Sequence, residues 1–111
     1  MKHLMFNLCL FMHAIVYSQN IKGRIEENGQ PLSLVNILLL IEKDSSLVTA
    51  AITNDAGNFV FENIKQGDYL LKISRVGYNE LYTPLFNLTR NLDLPPIELT
   101  RNNNQLDQVR Q

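Results

Sequence analysis

Few residues in this 111-residue chain combine a reactive type with a useful spacing. Glu26 and Glu27 are adjacent carboxylates, but neighbours in an extended strand point to opposite faces, which suits solvation better than acid–base work. Asp55 lies in the loop Asn54-Asp55-Ala56-Gly57-Asn58. A calcium site would need six or more oxygens there, and the simpler expectation is that the Asp55 carboxylate caps its own turn. Tyr78, Tyr82 and Phe86 follow the last glycine turn at intervals of four. Brought together, their rings would make a platform for a sugar; apart, they are core and rim aromatics. Asn87-Leu88-Thr89 matches a glycosylation sequon, which matters only in a eukaryotic secretory route.

These residues need a scaffold, and the scaffold begins after an apolar leader. Lys2 and His3 precede the mostly apolar run Leu4–Val16, with Ser18 just before Gln19. That is the pattern of a secretory signal peptide over residues 1–18. The run is shorter than the roughly 18 clean apolar residues of a membrane anchor and is broken by Asn7 and His13. Phe6-Asn7-Leu8 lacks the small residue that a lipoprotein signal places before its cysteine, so lipidation at Cys9 is not expected.

Cleavage after Ser18 leaves 93 residues, enough for one domain with one core. It also removes the only Cys, both His and every Met. The remainder cannot form a disulfide, a thiolate nucleophile, a Ser–His pair or a Cys/His zinc site, and no cofactor is expected. Its net charge is −2 with both signs scattered, so no basic patch points to nucleic acid or an anionic membrane.

The pattern that positions everything else is Thr53–Tyr78. Gly57, Gly67 and Gly77 fall ten residues apart with alternating apolar residues between them, the signal of an all-β sandwich or small barrel. Ahead of it, Ile21 and Ile25 share one face of a strand with Gly23 between them. Asn28-Gly29 then supplies a tight turn, and Pro31 has no N–H to give a ladder. Leu34–Ile41 is the most apolar segment of the mature chain, with Val35, Ile37, Leu39 and Ile41 on one face. Leu38 and Leu40 on the other face need cover from a neighbouring loop or strand, or else meet another domain. Val48, Ala50 and Ile52 alternate with Thr49, Ala51 and Thr53 in the next strand. Phe59, Phe61 and Ile64, then Tyr69, Leu71 and Ile73, are expected in the core, with Leu70, Lys72 and Ser74 facing out. Pro84 interrupts pairing, and Pro95-Pro96 forces an edge position or a break in a last strand built from Leu92, Leu94, Ile97 and Leu99. Arg101–Gln105 is polar and Asn-rich and reads as a linker leaving the domain, and Leu106-Asp107-Gln108-Val109 follows with no room to fold, so that residues 101–111 are a linker and a possible partner-binding segment.

Three groups of residues carry a family resemblance. They are Ile21-Lys22-Gly23-Arg24-Ile25 with Asn28–Leu32 and Val35-Asn36-Ile37; Thr53–Phe61; and Gly67–Ser74 with Val76-Gly77-Tyr78. In this order and spacing they resemble carboxypeptidase-regulatory-like domains over residues 20–99. The resemblance implies an all-β fold, a single seven-stranded antiparallel transthyretin-like or Ig-like sandwich over residues 19–100. A leader, this domain, an Asn-rich linker and Leu106-Asp107-Gln108-Val109 are similar to the start of TonB-dependent outer-membrane receptors of the Bacteroidetes type. There the domain precedes a TonB-box-like segment, a plug and a barrel. Gln108 stands where that segment usually has Glu, and Lys65-Gln66 lacks a proline common in the family.

The resemblance implies an exported, non-catalytic accessory domain on the periplasmic side of the outer membrane. Its partners would be a plug-and-barrel receptor and a periplasmic TonB-type protein, with Leu106, Asp107 and Val109 adding as a strand to the latter. A plug and a barrel of about 22 strands are not encoded in these 111 residues. The chain therefore reads as a fragment, a truncated frame or a stand-alone relative, and no transmembrane segment is expected in the mature part. The alternative is a free-standing secreted carbohydrate-binding module using Tyr78, Tyr82 and Phe86. Catalysis is a third class: the carboxypeptidases that carry such a domain keep their zinc in a separate domain, and the mature chain has no His to inherit that chemistry.

Overall fold

The computed structural model describes residues 18–102. Ser18, expected as the last leader residue, is the first residue of strand β1 (Ser18–Glu27). The rest of the leader and the segment containing Leu106, Asp107 and Val109 lie outside the described residues. Nine more strands follow: β2 (Gln30–Pro31), β3 (Asn36–Ile41), β4 (Leu47–Ile52), β5 (Asn58–Lys65), β6 (Gly67–Ser74), β7 (Leu81–Tyr82), β8 (Phe86–Leu88), β9 (Leu92–Asp93) and β10 (Ile97–Glu98).

They form two five-stranded sheets that pack as a sandwich. In the first, β1 is central and pairs with β2, β5, β9 and β10; the second has the order β4-β3-β6-β7, with β8 also on β6. The expected seven strands become ten for a local reason. Pro84 separates β7 from β8, Pro95-Pro96 separates β9 from β10, and Gln30–Pro31 forms a two-residue strand beside the end of β1. Nor is the pairing all antiparallel. The chain returns to the first sheet with β9 and β10 running parallel to β1, Ile21 opposite Leu92 and Ile25 opposite Ile97.

Period-2 alternation places the core. Ile21 and Ile25 from the first sheet, and Ile37, Leu39, Leu71 and Ile73 from the second, are fully buried. Phe59 and Phe61 meet edge to face at 5.8 Å between ring centres. Ile64 also faces in, although it lies three residues after Phe61. The register between β1 and β5 slips between Gln19 and Ile21, and Asn63 takes a left-handed φ of 59°, which restores the inward direction.

Two close approaches require glycine. A Cβ on Gly23 would lie 2.4 Å from the Phe59 ring, so that ring occupies the space a side chain would need. Gly57 has φ +77°, and a Cβ there would sit 2.6 Å from the Ile25 carbonyl oxygen. Gly67 differs from the turn role expected of it: it is the first residue of β6 and has no positive φ. The Asn54–Asn58 loop is capped by Asn54, not Asp55. The Asn54 Oδ1 accepts from the Ala56 and Asn58 amides, while Asp55 is exposed.

In the Leu34–Ile41 segment, Ile41 does not follow Val35, Ile37 and Leu39 into the core. It is 38% exposed at the strand end, whereas Leu40 is 7% exposed on the other side. A bulge lies here: Leu39 opposes Thr49, but Leu40 opposes Leu47, leaving Val48 as the extra residue of β4. Thr53 is the buried polar residue of this sheet. Its hydroxyl accepts from the Val35 amide at 3.0 Å and donates to the Leu32 carbonyl at 2.8 Å, so both of its hydrogen-bonding functions are satisfied.

Candidate functional site

The three aromatic candidates go to three environments. Tyr82 lies opposite Lys72 on the outward side of the second sheet, with the Lys72 ammonium 5.8 Å from its ring centre. Phe86 lies opposite Tyr69 and packs inward, its ring 6.3 Å from that of Tyr69. It also lines an apolar groove of about 280 Å³ with Pro84, Leu85, Leu94, Pro96 and Ile97. Tyr82 and Phe86 thus sit on opposite faces of one sheet. Tyr78 is elsewhere again, half-buried at the point where the last described residues cross the fold.

Around Tyr78 the structure assembles a polar cluster that sequence reasoning missed. The Tyr78 hydroxyl donates to Glu27 Oε1 at 2.7 Å. Arg101 donates through Nε to Glu27 Oε2 at 2.6 Å and through Nη2 to Oε1 at 3.4 Å. The Arg101 and Arg75 guanidinium carbons lie 5.2 and 5.5 Å from the Tyr78 ring centre, within cation–π range. Arg75 is itself tied to the Ser33 carbonyl at 2.9 Å. Backbone contacts complete the clamp: Tyr78 and Arg101 form a β-bridge, Asn79 N–H donates to the Thr100 carbonyl, and Asn102 N–H donates to the Gly77 carbonyl.

Charge follows this geometry. The Arg101 hydrogen bond, then that of Tyr78, holds the Glu27 carboxyl below its ordinary value. The Glu27 hydrogen bond pushes the Tyr78 phenol up, with burial adding to it. Arg101 is raised by its bond to Glu27. Glu27 is thus held ionised between two donors, while Glu26 turns to the other face and pairs with Arg24 at 2.7 Å. The adjacent carboxylates are separated as the strand reading requires, and neither faces the other. Among the described residues no group of three or more His, Cys, Asp or Glu side chains could hold a metal ion.

Arg101 and Asn102 stood in the linker by composition, yet both are bound to the sandwich. No local pattern announces this, because Glu27, Tyr78 and Arg101 are separated by 51 and 74 positions from the first to the others. Asn87, the sequon residue, donates from its side chain to Asp68 at 2.6 Å.

Fold and site together define an all-β two-sheet sandwich whose exit segment is clamped between the sheets. A profile of the CarboxypepD_reg-like domain matches residues 21–110, and the chain belongs to that family. No curated protein matches. Among solved structures, a cohesin–X-dockerin complex from Acetivibrio cellulolyticus aligns with a TM-score of 0.63 at 15% identity, covering 77% of this chain and 59% of that one. A DUF3823 family protein from Parabacteroides merdae gives 0.61 at 20% identity, over 78% and 48%. The 5-hydroxyisourate hydrolase of Klebsiella pneumoniae, a transthyretin-like fold, gives 0.56 at 16% identity, over 76% and 99%. At these identities the likeness concerns the fold. The chain spans about three-fifths of the first structure it matches.

Proposed function

We propose that this domain is a non-catalytic accessory module of a TonB-dependent outer-membrane receptor, exported to the periplasmic side, where it mediates contacts during nutrient import. The observation that carries the reading is the clamp at Glu27, Tyr78 and Arg101. It holds the chain at Asn102, so the segment containing Leu106, Asp107 and Val109 starts from a fixed point on the sandwich. A segment that follows directly from that point suits strand addition to a periplasmic TonB-type protein. Family membership supports the reading at the coarser level of a regulatory-like domain.

The free-standing carbohydrate module needs Tyr78, Tyr82 and Phe86 on one face, and the opposite directions of Tyr82 and Phe86 favour the receptor reading over it. The test is a photo-crosslinking residue at position 106 in cells of the source organism, followed by fractionation. An adduct with a periplasmic energy-coupling protein, in material that fractionates with a barrel receptor in the outer membrane, is the expected result. A protein free in the medium, giving no adduct but binding on a glycan array, would overturn it.

A further inference from the structure

Among residues 18–102 a single asparagine is followed by glycine, at Asn28-Gly29. The pair forms the two-residue turn between β1 and β2, with Glu27 opposite Gln30. Both residues are exposed and left-handed, at φ 52° and φ 80°. A Cβ on Gly29 would meet nothing within 4 Å, so nothing crowds its peptide group.

The asparagines differ in what holds their side chains. Asn54 Oδ1 accepts from the Ala56 and Asn58 amides, Asn91 Oδ1 accepts from the Asn20 amide, and Asn87 donates to Asp68. The Asn28 carboxamide takes part in no such bond among the described residues; it is the Asn28 backbone N–H that donates, to the Glu98 carboxylate. Asn36 and Asn58 also leave their carboxamides free, but each begins a strand and is followed by a bulky residue, Ile37 or Phe59.

We propose that Asn28 is a site of spontaneous deamidation. The Gly29 peptide nitrogen attacks Asn28 Cγ and closes a five-membered succinimide. The side-chain nitrogen leaves as ammonia, taking the proton that the Gly29 nitrogen gives up. Water then opens the ring at either carbonyl, leaving aspartate, or isoaspartate where the main chain is rerouted through Cβ. Glycine offers no side chain to hinder the attack. Ring closure needs the Asn28 ψ to rotate out of the turn, and the hairpin resists this weakly: β2 is two residues long and Pro31 brings no N–H to it.

The product alters the neighbouring clamp. A new carboxylate at this position stands beside Glu27 and against Glu98. Isoaspartate also lengthens the main chain of a two-residue loop, and loop length sets hairpin register. The residue next to the change is Glu27, which receives the bonds of Tyr78 and Arg101. Deamidation therefore loosens the hold on the exit segment. This inference is independent of the receptor reading.

Peptide mapping by mass spectrometry tests it, on purified protein aged at mildly alkaline pH. A one-dalton gain should build up at Asn28 ahead of every other asparagine in residues 18–102, with an isoaspartate form that separates by chromatography. Its rate should lie within about tenfold of that of the same chain in denaturant, because an exposed loop tip opens at little cost. As the product accumulates, the melting temperature should fall, and hydrogen exchange should quicken at the Asn79 and Asn102 amides, which bond across the clamp. Asn28→Gly keeps a residue suited to the left-handed turn and removes the carboxamide, so its melting temperature should hold on ageing. A wild-type protein that gains no mass at Asn28 while the denatured chain is converted would overturn the site. A gain at Asn28 with unchanged melting and exchange would overturn its coupling to the clamp.

Discussion

The outer faces of the two sheets are built differently. On the first sheet, Lys22, Arg24 and Glu26 of β1 lie beside Val60 and Asn58 of β5 and Asp93 and Glu98 of β9 and β10. This is a charged face with Val60 as its apolar member. On the second sheet the corresponding rows are Ala50 and Ile52 of β4, Asn36 and half-buried Leu38 of β3, Leu70, Lys72 and Ser74 of β6, and Tyr82 of β7, while Leu40 is covered. A surface with contiguous apolar residues marks a contact site, whereas single ones need no explanation. The outer face of the first sheet is thus the more charged, and that of the second exposes more apolar side chain. The interior holds the two together, and the predictions test each level of the contrast.

The largest effect should come from the junction that sets the first sheet. Gly57→Val forces a branched side chain into a left-handed φ and against the Ile25 carbonyl, whose residue also donates its amide to the Gly57 carbonyl at 2.8 Å. We expect a loss of about 4 kcal/mol or more, enough to unfold a domain of marginal stability. A folded variant by circular dichroism with an unchanged melt would show that the close approach does not exist. On the second sheet, Leu71→Ala deletes a fully buried side chain from the core. It should lower stability by about 2–5 kcal/mol in denaturant titration, with the spread set by how far Leu39 and Ile73 relax into the space.

Next comes the comparison of the faces themselves. Val60→Lys and Ile52→Lys both replace exposed residues, at 44% and 60% exposure, so each should change stability by no more than about 0.5 kcal/mol. They should differ in a second measurement. Fluorescence of a hydrophobic dye should fall with Ile52→Lys, which breaks an apolar face, and hold with Val60→Lys, which sits among charges already. Equal responses would dissolve the distinction between the sheets.

These expectations rest on what alternation makes visible. Phe59 and Phe61, and Tyr69, Leu71 and Ile73, point inward as their spacing requires, because a period of two is a local property of a pleated strand. What alternation hides is any residue that breaks the period. Asn63 and Val48 are bulge positions with no distinctive type, and only the partner strand reveals them. The parallel return of β9 and β10 is hidden for the same reason, since direction depends on where the chain has travelled. Arg101 is the sharpest case: its composition is that of a linker, and its role comes from Glu27 and Tyr78, remote in sequence and close in space.

That cluster also gives the smallest and most specific prediction, because it crosses the seam between the two sheets. Glu27 ends β1 of the first sheet, and Tyr78 follows β6 of the second. The Glu27 carboxyl is held below its ordinary value by Arg101 and Tyr78, so the folded state binds that proton less readily than the unfolded chain does. The resulting stabilisation is present above the ordinary carboxylate value and is lost as pH falls through the depressed one. At high pH the sign reverses: the raised Tyr78 phenol contributes below its ordinary value and ceases to as pH climbs through the folded one. Arg101→Ala should therefore lower the melting temperature slightly at neutral pH, by less than any core substitution above. The gap to wild type should close in acid, where Glu27 is protonated in both proteins, and should narrow with added salt because the pair is exposed. A gap that persisted unchanged into strong acid would mean that Arg101 acts through its Tyr78 ring contact and backbone bridge. The seam would then be held by packing, as the interior of both sheets is, and not by charge.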